Sequence, residues 1–400
     1  MVLIGTALIW CAFFTRAQTN IPKDKTQKII ISSENSAKKA ELKVLPANSN
    51  VQHEQPIINN VAKQPKEEHD KITSEGFIEN AEKTIFSAKM QKQSQNQIQN
   101  EEESEVRGRV LYSMKLAAGY INSYYTKNDF KGFLDWPALA VYSVERDSDT
   151  RKYERALEWK EKEIKEGNDF DSSRSTDSHR SIIGILSAGG NPRDFAGMNL
   201  VESILKSQLP NGKFADTIEG KGERLVNAHI WGIISLYSAG EKIPNPKGAY
   251  NWLISKQNSD GGFGILTGAK SDLDMTGMAL IAFGALGKSE TDENIKKAVE
   301  FIKSKQAISG GFEIFGQENP DTAATVVQGL ISIGINPVSK KWTKEGGKNM
   351  IDFIMAFQLS DGAFSHTHGG EADMLATTRA LTALADYYNG KTVFQSLRGM

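Results

Sequence analysis

The stretch Gln257-Asn-Ser-Asp-Gly-Gly-Phe263 decides the fold, because it is one of four related turns in the chain. The other three are Gln208-Leu-Pro-Asn-Gly-Lys-Phe214, Gln306-Ala-Ile-Ser-Gly-Gly-Phe312 and Gln358-Leu-Ser-Asp-Gly-Ala-Phe364. Successive glutamines are 49, 49 and 52 residues apart. This period suits a repeating unit of two helices and two connections.

The segments on either side of each turn have different hydrophobic patterns. Before Gln306, helical spacing connects the apolar residues Ile295, Ala298, Val299 and Ile302, with charged residues between them. This pattern predicts an amphipathic helix with one solvent-exposed face. After Phe263, residues 277–286 (GMALIAFGAL) are apolar or small on nearly all sides. We therefore expect each repeat to pair an outer, half-exposed helix with an enclosed inner helix.

Six inner helices are predicted, each beginning at an acidic or amide residue. The predicted starts are Asp135, Asp177, Asn227, Asp274, Asp321 and Asp373, and the middle four helices end at Gly189, Gly240, Gly287 and Gly334. Short side-chain oxygens cap helix N-termini and glycine closes C-termini, so both ends have local signals. Enclosing six inner helices within six outer ones predicts an all-α fold, an (α/α)6 toroid that spans residues 105–390.

The rest of the chain is predicted to lie outside the toroid. The apolar run Val2–Phe14 predicts a signal peptide or membrane anchor over residues 1–17, and hence a protein that is secreted or anchored outside the cytoplasm. Residues 18–104 are polar and predict a disordered linker. Residues 391–400 are interpreted as a C-terminal tail.

Charge and cysteine content exclude several function classes. The formal net charge of −1 provides no general attraction for nucleic acid. The single cysteine, Cys11, precedes the predicted toroid, which excludes an intramolecular disulfide and a thiolate zinc site there. We expect no cofactor and no resident metal.

The repeated Gln-x-x-x-Gly-x-Phe turn, followed by an acidic helix start, resembles the repeat of squalene-hopene cyclases, protein prenyltransferase β subunits, cobalamin carriers and thioester-containing complement domains. The resemblance covers about residues 105–388. It implies that the glutamine joins an outer helix to the next inner one and that the phenylalanine packs beneath the turn. The absence of cysteine from this region argues against prenyltransferase zinc chemistry and against a thioester.

Asp272-Leu-Asp274-Met275-Thr276 resembles the Asp-x-Asp-Asp-Thr motif of class II terpene cyclases. The resemblance implies that Asp274 is a general acid, with Asp272 as the neighbour that tunes it. Met275 departs from the motif, because it replaces the last aspartate. The alternative interpretation is that Asp274 caps an inner helix, as its counterparts in other repeats are predicted to do.

Other polar and aromatic residues are candidates for ligand contact. His366 and His368, near Glu371 and Asp373, would suit a divalent cation or simply a polar loop. His179 and His229 each follow a predicted inner-helix start by two residues and could share one rim of the ring, and Asp321 is a further candidate for ligand contact. Aromatic side chains of the inner helices would line a cavity or pack in the core, and these are Trp136, Trp231 and Phe283.

Two functions follow from these features. The first is an extracytoplasmic binding or surface module whose ligand is a small apolar molecule, a peptide or a cell-wall glycan, with membrane association through the N-terminal run. The second is a terpene cyclase-like or carbohydrate-active enzyme that uses Asp274 as its acid, paired with Asp272 or Asp321. A scaffold without a ligand is not separable from the first by sequence.

Overall fold

The computed structural model describes residues 104–144, 150–167, 170–171, 173–314 and 316–399. The predicted signal or anchor over residues 1–17, and the predicted linker up to residue 103, lie outside them. In the described ranges, no helix has both the length and the apolar character needed to cross a membrane.

Helices dominate the described residues and alternate between outer and inner positions. The outer helices are α1 (104–127), α3 (Thr150–Glu166), α5 (Leu200–Lys206), α7 (Pro246–Ile254), α9 (Glu293–Lys305) and α11 (Met350–Met355). The inner helices are α2 (Trp136–Val144), α4 (Ser175–Ser187), α6 (Val226–Ser238), α8 (Leu273–Ala285), α10 (Pro320–Ser332) and α12 (Met374–Asn389). Helix α13 (Val393–Arg398) follows, and the short strands are β1 (Glu313–Ile314), β2 (Gln317–Glu318), β3 (Phe364–Ser365) and β4 (Ala372–Asp373).

The inner helices form a closed ring. Each packs against the next in chain order, and α12 packs against α2. The last outer turn also joins the start of the domain, because Gln358 Nε2 donates to the Ser113 carbonyl of α1 at 2.9 Å. The predicted (α/α)6 toroid is confirmed, and closure is what shields the dry inner helices from water.

The repeated turn works through one set of hydrogen bonds. The Gln257 side chain donates to the carbonyls of Gly261 and Asn294, at 2.8 and 2.7 Å. Gly261 has a φ of +90°, and a Cβ there would lie 2.4 Å from the Lys297 carbonyl oxygen, so glycine is required. The Phe263 amide donates to Thr276 Oγ1 at 3.0 Å, which fixes the turn to the inner helix that follows.

Four of the six inner helices begin earlier than the sequence predicted, whereas α2 begins directly after the predicted start Asp135. Asp272 and Asn319 cap α8 and α10 by accepting from Met275 and Thr322, whereas Leu225 and Arg174 precede α6 and α4 without capping side chains. The predicted starts Asp177, Asn227, Asp274 and Asp321 therefore lie inside their helices. Asp373 does cap α12. At α8 and α10 the cap is the other of two nearby polar residues, so the Asp274 and Asp321 carboxylates do not cap their helices.

Residues 391–400, interpreted as a tail, contain α13, which packs against α6, α12 and α2. Thr392 and Gln395 form a capping box at its start. The fully buried Asp386 carboxylate of α12 accepts from the Val393 amide at 2.7 Å. Arg398 donates to the carbonyls of Tyr237 and Glu241 at the end of α6. So α13 lies across the end of the ring where the inner helices terminate.

Candidate functional site

The candidate site lies at the opposite end of the ring, where α8, α10 and α12 begin. It contains Asp272 and Asp274 from α8 and its cap, Asp321 from α10, and Arg379 from α12. His366 joins it from the turn between β3 and β4. Residues from three adjacent repeats therefore form one cluster of ionisable groups.

Glycines allow α8 and α10 to approach closely enough to form this cluster. A Cβ at Gly329 would lie 2.6 Å from the Gly277 carbonyl oxygen, and a Cβ at Gly277 would lie 3.0 Å from the Thr325 carbonyl oxygen. Ser332 Oγ bridges the helices by donating to the Leu280 carbonyl at 2.8 Å. As a result, Thr322 Oγ1 of α10 lies 3.4 Å from Asp274 Oδ2 of α8.

Asp274 combines burial with an unused hydrogen-bonding atom. Its side chain is partly accessible, but Oδ1 is buried and has no hydrogen-bond partner among the described residues. Burial, followed by repulsion from Asp272, raises the pKa of Asp274 from 3.8 to about 7, although Arg379 acts in the opposite direction. The carboxyl can therefore hold a proton near neutral pH.

Asp272 has a structural role as well as an electrostatic one. Its carboxylate accepts from the Met275 amide at 2.9 Å and so caps α8. Burial raises its pKa, while hydrogen bonds from the Met275 and Asp274 backbones lower it. Met275 is fully buried in the core, so the position of the motif's third carboxylate is apolar here.

Asp321 forms an ion pair with His366. Asp321 Oδ2 lies 2.5 Å from His366 Nδ1, and the side chains are 6% and 57% exposed. The hydrogen bond to Asp321 raises the pKa of His366, while partial burial opposes it. The other oxygen, Asp321 Oδ1, is buried and accepts no hydrogen bond from any described group. The pair thus connects a buried carboxylate to a solvent-exposed imidazole.

His368 lies at the rim of the site. Its Nε2 is 3.1 Å from Glu318 Oε2, and its ring stacks on Phe357 with centroids 4.1 Å apart. Asp373 caps α12, because its carboxylate oxygen Oδ1 accepts a hydrogen bond from the Ala376 amide at 2.8 Å. Across the described ranges, no group of three or more His, Cys, Asp or Glu side chains is placed to hold a metal ion. The predicted alternative of a cation site in this loop gains no support.

The predicted rim histidines lie inside the ring wall instead. His229 Nδ1 accepts from the Phe214 amide at 3.0 Å, and Nε2 lies 3.0 Å from the Ala249 carbonyl oxygen, which assigns the proton to Nε2. His179 is almost fully buried, and neither of its nitrogens has a hydrogen-bond partner in the described part of the chain. Burial lowers both pKa values from 6.5 to about 3, so both rings are neutral.

The predicted aromatic residues separate into two groups. Phe283 is buried in the core, 5.9 Å from Phe263 between ring centroids. Trp136 and Trp231 lie 5.1 Å apart and remain partly accessible, and Phe394 of α13 is 6.0 Å from Trp231. Sequence reasoning missed Arg379 and Phe394. Arg379 lies six residues after the cap Asp373, as Trp231 lies six residues after Leu225, so the repeat spacing could have identified Arg379 as a counterpart of Trp231. Phe394 lies outside the repeats, so no spacing pointed to it.

Two family models match this chain. The squalene-hopene cyclase N-terminal domain model matches residues 201–317, and the prenyltransferase α/α toroid domain model matches residues 276–387. The first match includes Asp272 and Asp274 and ends before Asp321, whereas the second begins after Asp274 and includes Asp321 and Arg379. A search of curated protein sequences gave no significant match.

Solved structures resemble this chain at low sequence identity. A variant of the type II terpene cyclase MstE from Scytonema, with geranylgeranyl dihydroxybenzoate bound, has a TM-score of 0.53 and 10% identity, and the match covers 72% of this chain and 99% of that one. The protein geranylgeranyltransferase-I of Candida albicans with GGPP has a TM-score of 0.46 and 13% identity, covering 68% and 90%. An unsaturated glucuronyl hydrolase from Bacillus sp. GL1 has a TM-score of 0.47 and 13% identity, covering 68% and 95%.

Proposed function

Because this chain belongs to the prenyltransferase and squalene cyclase superfamily of α/α toroids, we propose that it is an enzyme whose Asp274 carboxyl protonates a small apolar, prenyl-type substrate inside the ring. The strongest support is the position of Asp274. It occupies the second residue of α8, where Asp272 already supplies the cap, and its Oδ1 is buried and receives no hydrogen bond from the residues that the structure describes. The main structural explanation for Asp274, helix capping, therefore does not apply.

The proposed reaction is proton addition to an alkene. The O–H bond of Asp274 breaks, the proton bonds to one alkene carbon, and the π electrons form that bond. Positive charge then develops on the other carbon, which a second double bond of the substrate can attack. Loss of a proton from a neighbouring carbon to water gives a new alkene. A pKa of about 7 keeps much of Asp274 protonated at neutral pH, as a general acid requires.

The neighbours of Asp274 have distinct roles in this proposal. Asp272 disfavours ionisation of Asp274, while Arg379 favours it, so together they balance acid strength against the supply of the protonated form. The Asp321 carboxylate faces the same region and is paired with His366. Met275 provides no third carboxylate at its position in the motif. Asp321 is instead the additional acidic group near Asp274, and its charge also raises the pKa of Asp274.

The test is turnover of prenyl alkenes and epoxides by the purified chain, with products separated by mass spectrometry. Asp274→Asn should reduce turnover by about a thousandfold or more, because it removes the transferable proton. Asp361→Asn is the control, since Asp361 sits in an outer turn, where its carboxylate accepts from the Ala363 amide at 3.0 Å. Equal activity of Asp274→Asn and the wild type would refute the acid role.

A second candidate is a binding module that does not turn its ligand over. Met275 favours it, because the family's acid motif is incomplete at that position. Small apolar molecules, peptides and cell-wall glycan fragments are its candidate ligands. Binding of one of these unchanged, with Asp274→Asn binding equally well, would favour this module over the enzyme.

We also propose that the protein acts outside the cytoplasm, on the basis of the apolar run Val2–Phe14. Fractionation of cells that express the full chain, with intact-mass measurement of the mature N-terminus, tests this location. Recovery of the uncleaved chain in the cytosol alone would contradict it.

A further inference from the structure

The turn before α12 is attached to the preceding repeat through two histidine side chains. It spans residues 366–371 between β3 and β4, and we call it the histidine turn. His366 Nδ1 lies 2.5 Å from Asp321 Oδ2 of α10. His368 Nε2 lies 3.1 Å from Glu318 Oε2 of β2. Both acceptors belong to the preceding repeat, so the two contacts bridge neighbouring repeats.

The matching loop before α8 is attached through its backbone instead. Residues 263–272 and residues 364–373 each run from a turn phenylalanine to an aspartate helix cap, over the same length. In the first loop, the Thr267 amide donates to the Arg224 carbonyl of the preceding repeat at 2.8 Å. Among the described residues, no backbone hydrogen bond joins the histidine turn to residues 317–321. The last repeat therefore uses side chains at this junction.

Histidine occupies two positions that carry non-ionisable side chains in the matching loop. His366 and His368 correspond to Ile265 and Thr267, two and four residues after the turn phenylalanine. Imidazole changes its charge between about pH 5 and pH 8, whereas peptide groups do not. The attachment of the histidine turn can therefore respond to pH, and that of the matching loop cannot.

The carboxylates that receive the turn are held in place. Asp321 is the second residue of α10, and its side chain is 6% exposed. Glu318 accepts from the Ser309 hydroxyl through its other oxygen, Oε1. The side chains of His366 and His368 are 57% and 56% exposed. The turn, rather than its acceptors, is thus the part that can move when the contacts weaken.

Three charged groups act on His366. The hydrogen bond to Asp321 raises the pKa of His366, and the charges of Asp321 and of Asp373, the cap of α12, raise it further. Partial burial lowers this pKa, and so does Arg379 of α12. Because the folded-state pKa is raised, the contact contributes most below pH 6.5, and its charge-dependent part is lost as the pH rises above that value.

His368 is held by apolar contacts as well as by a charged group. Its ring stacks on Phe357 with centroids 4.1 Å apart, and Phe353 of α11 meets it edge-on at 6.5 Å. Glu318 is the charged group that it contacts. Stacking does not require charge, so His368 keeps one end of the turn in place when the His366 contact weakens.

We propose that the histidine turn is a pH-sensitive latch over the candidate site. Protonated His366 holds the turn closed on Asp321, and loss of that proton lets the turn swing outward about His368. Opening exposes the Asp321 carboxylate, whose charge acts on Asp274, and admits water to the cluster. The inference goes beyond the proposed function, because it concerns access and holds whether or not Asp274 transfers a proton.

Electron paramagnetic resonance of the full chain tests whether the turn moves. A nitroxide is attached at the exposed position 371 through Glu371→Cys, and Cys11→Ser removes the native cysteine. The ratio of immobile to mobile label should fall by about fivefold from pH 5.5 to pH 8.5, because a charge-assisted hydrogen bond becomes a neutral one.

Lys270→Cys provides the matched control label. Lys270 is exposed and lies two residues before the cap of α8, as Glu371 does before the cap of α12. Because the matching loop is attached through its backbone, a label at position 270 should have the same mobility at both pH values.

Two variants assign the response to particular contacts. His366→Gln keeps a neutral hydrogen-bonding group, so the label at position 371 should be as mobile at pH 5.5 as at pH 8.5. Glu318→Gln leaves the His366 contact in place and should change the ratio by about twofold or less. The proposal is overturned if the label at position 371 has the same mobility at both pH values, if His366→Gln retains the full response, if Glu318→Gln has the larger effect, or if the label at position 270 responds equally.

Discussion

Helices α6 and α8 both bury ionisable groups, but they do so in opposite ways. His229 uses both ring nitrogens on backbone groups, and burial keeps it neutral with a pKa of about 3. Asp274 has a buried oxygen that accepts no hydrogen bond from any described residue, although its side chain stays partly accessible, and its pKa is raised to about 7. A buried group whose hydrogen bonds are all made stabilises the fold, whereas a buried group with unused capacity near neutral pKa is suited to chemistry.

The largest expected effect comes from His229→Leu. The change leaves the Phe214 amide and the Ala249 carbonyl buried and unpaired, which should cost about 3 kcal/mol of unfolding free energy. The folded-state pKa lies below 6.5, so the histidine's contribution is present above pH 6.5 and is lost as the pH falls toward 3. Urea denaturation at several pH values measures both effects.

Thr377→Val is the matched control for His229→Leu. Thr377 occupies the equivalent position in the last repeat and accepts the Phe364 amide at 2.8 Å, but it is not ionisable between pH 3 and pH 7. Thr377→Val should lower the unfolding free energy by about half as much as His229→Leu does, and this loss should not depend on pH. Equal pH profiles for the two variants would show that His229 does not titrate as described.

Asp274→Asn should have the opposite effect on stability. The folded protein binds this proton more tightly than the unfolded chain does, so stability is greatest below pH 3.8 and is lost as the pH rises through 7. The asparagine variant should therefore be more stable than the wild type at pH 8, by on the order of 2 kcal/mol. A less stable variant at pH 8 would mean that the carboxylate is stabilised in the fold.

Gly329→Ala tests how the acidic wall is assembled. The added methyl group would lie 2.6 Å from the Gly277 carbonyl oxygen, so α8 and α10 must separate. The unfolding free energy should fall by about 1 to 2 kcal/mol. The pKa of Asp274 should also fall, because water would reach its carboxyl group and Asp321 of α10 would move away from it. Thermal unfolding and carboxyl NMR titration measure these changes.

The control for Gly329→Ala is Gly119→Ala, at an exposed position of α1 with open space around the glycine. This substitution should increase stability by a few tenths of a kcal/mol through helix propensity. If Gly329→Ala behaves in the same way and leaves the Asp274 pKa unchanged, close packing of α8 and α10 does not set that pKa.

His366→Gln should have the smallest effect, below about 1 kcal/mol, because the imidazole is more than half exposed. The pKa of His366 is raised in the folded state, so its ion pair stabilises the protein below pH 6.5 and the contribution is lost as the pH rises above that value. The variant should thus differ from the wild type at pH 5.5 and match it at pH 9. A constant difference across this range would indicate packing alone.

The sequence predicted the repeat, the alternation of dry and half-wet helices, and Asp274 as the candidate acid. It predicted the wrong helix starts because Asp272 and Asp274 are both plausible caps, and only the backbone geometry distinguishes them. It gave no indication that Asp321 pairs with His366, since 45 residues separate the two. The tail interpretation failed because α13 is too short to show a helical pattern.

Local patterns alone determined that this protein is a ring of six helical hairpins, because each repeat contains its own turn chemistry and hydrophobic period. Only the tertiary structure decided which polar groups have unused hydrogen-bonding capacity. Whether a carboxylate or imidazole is buried, paired or facing the lumen depends on neighbours from other repeats. Such neighbours are distant in sequence and become adjacent only when α12 packs against α2 and the ring closes.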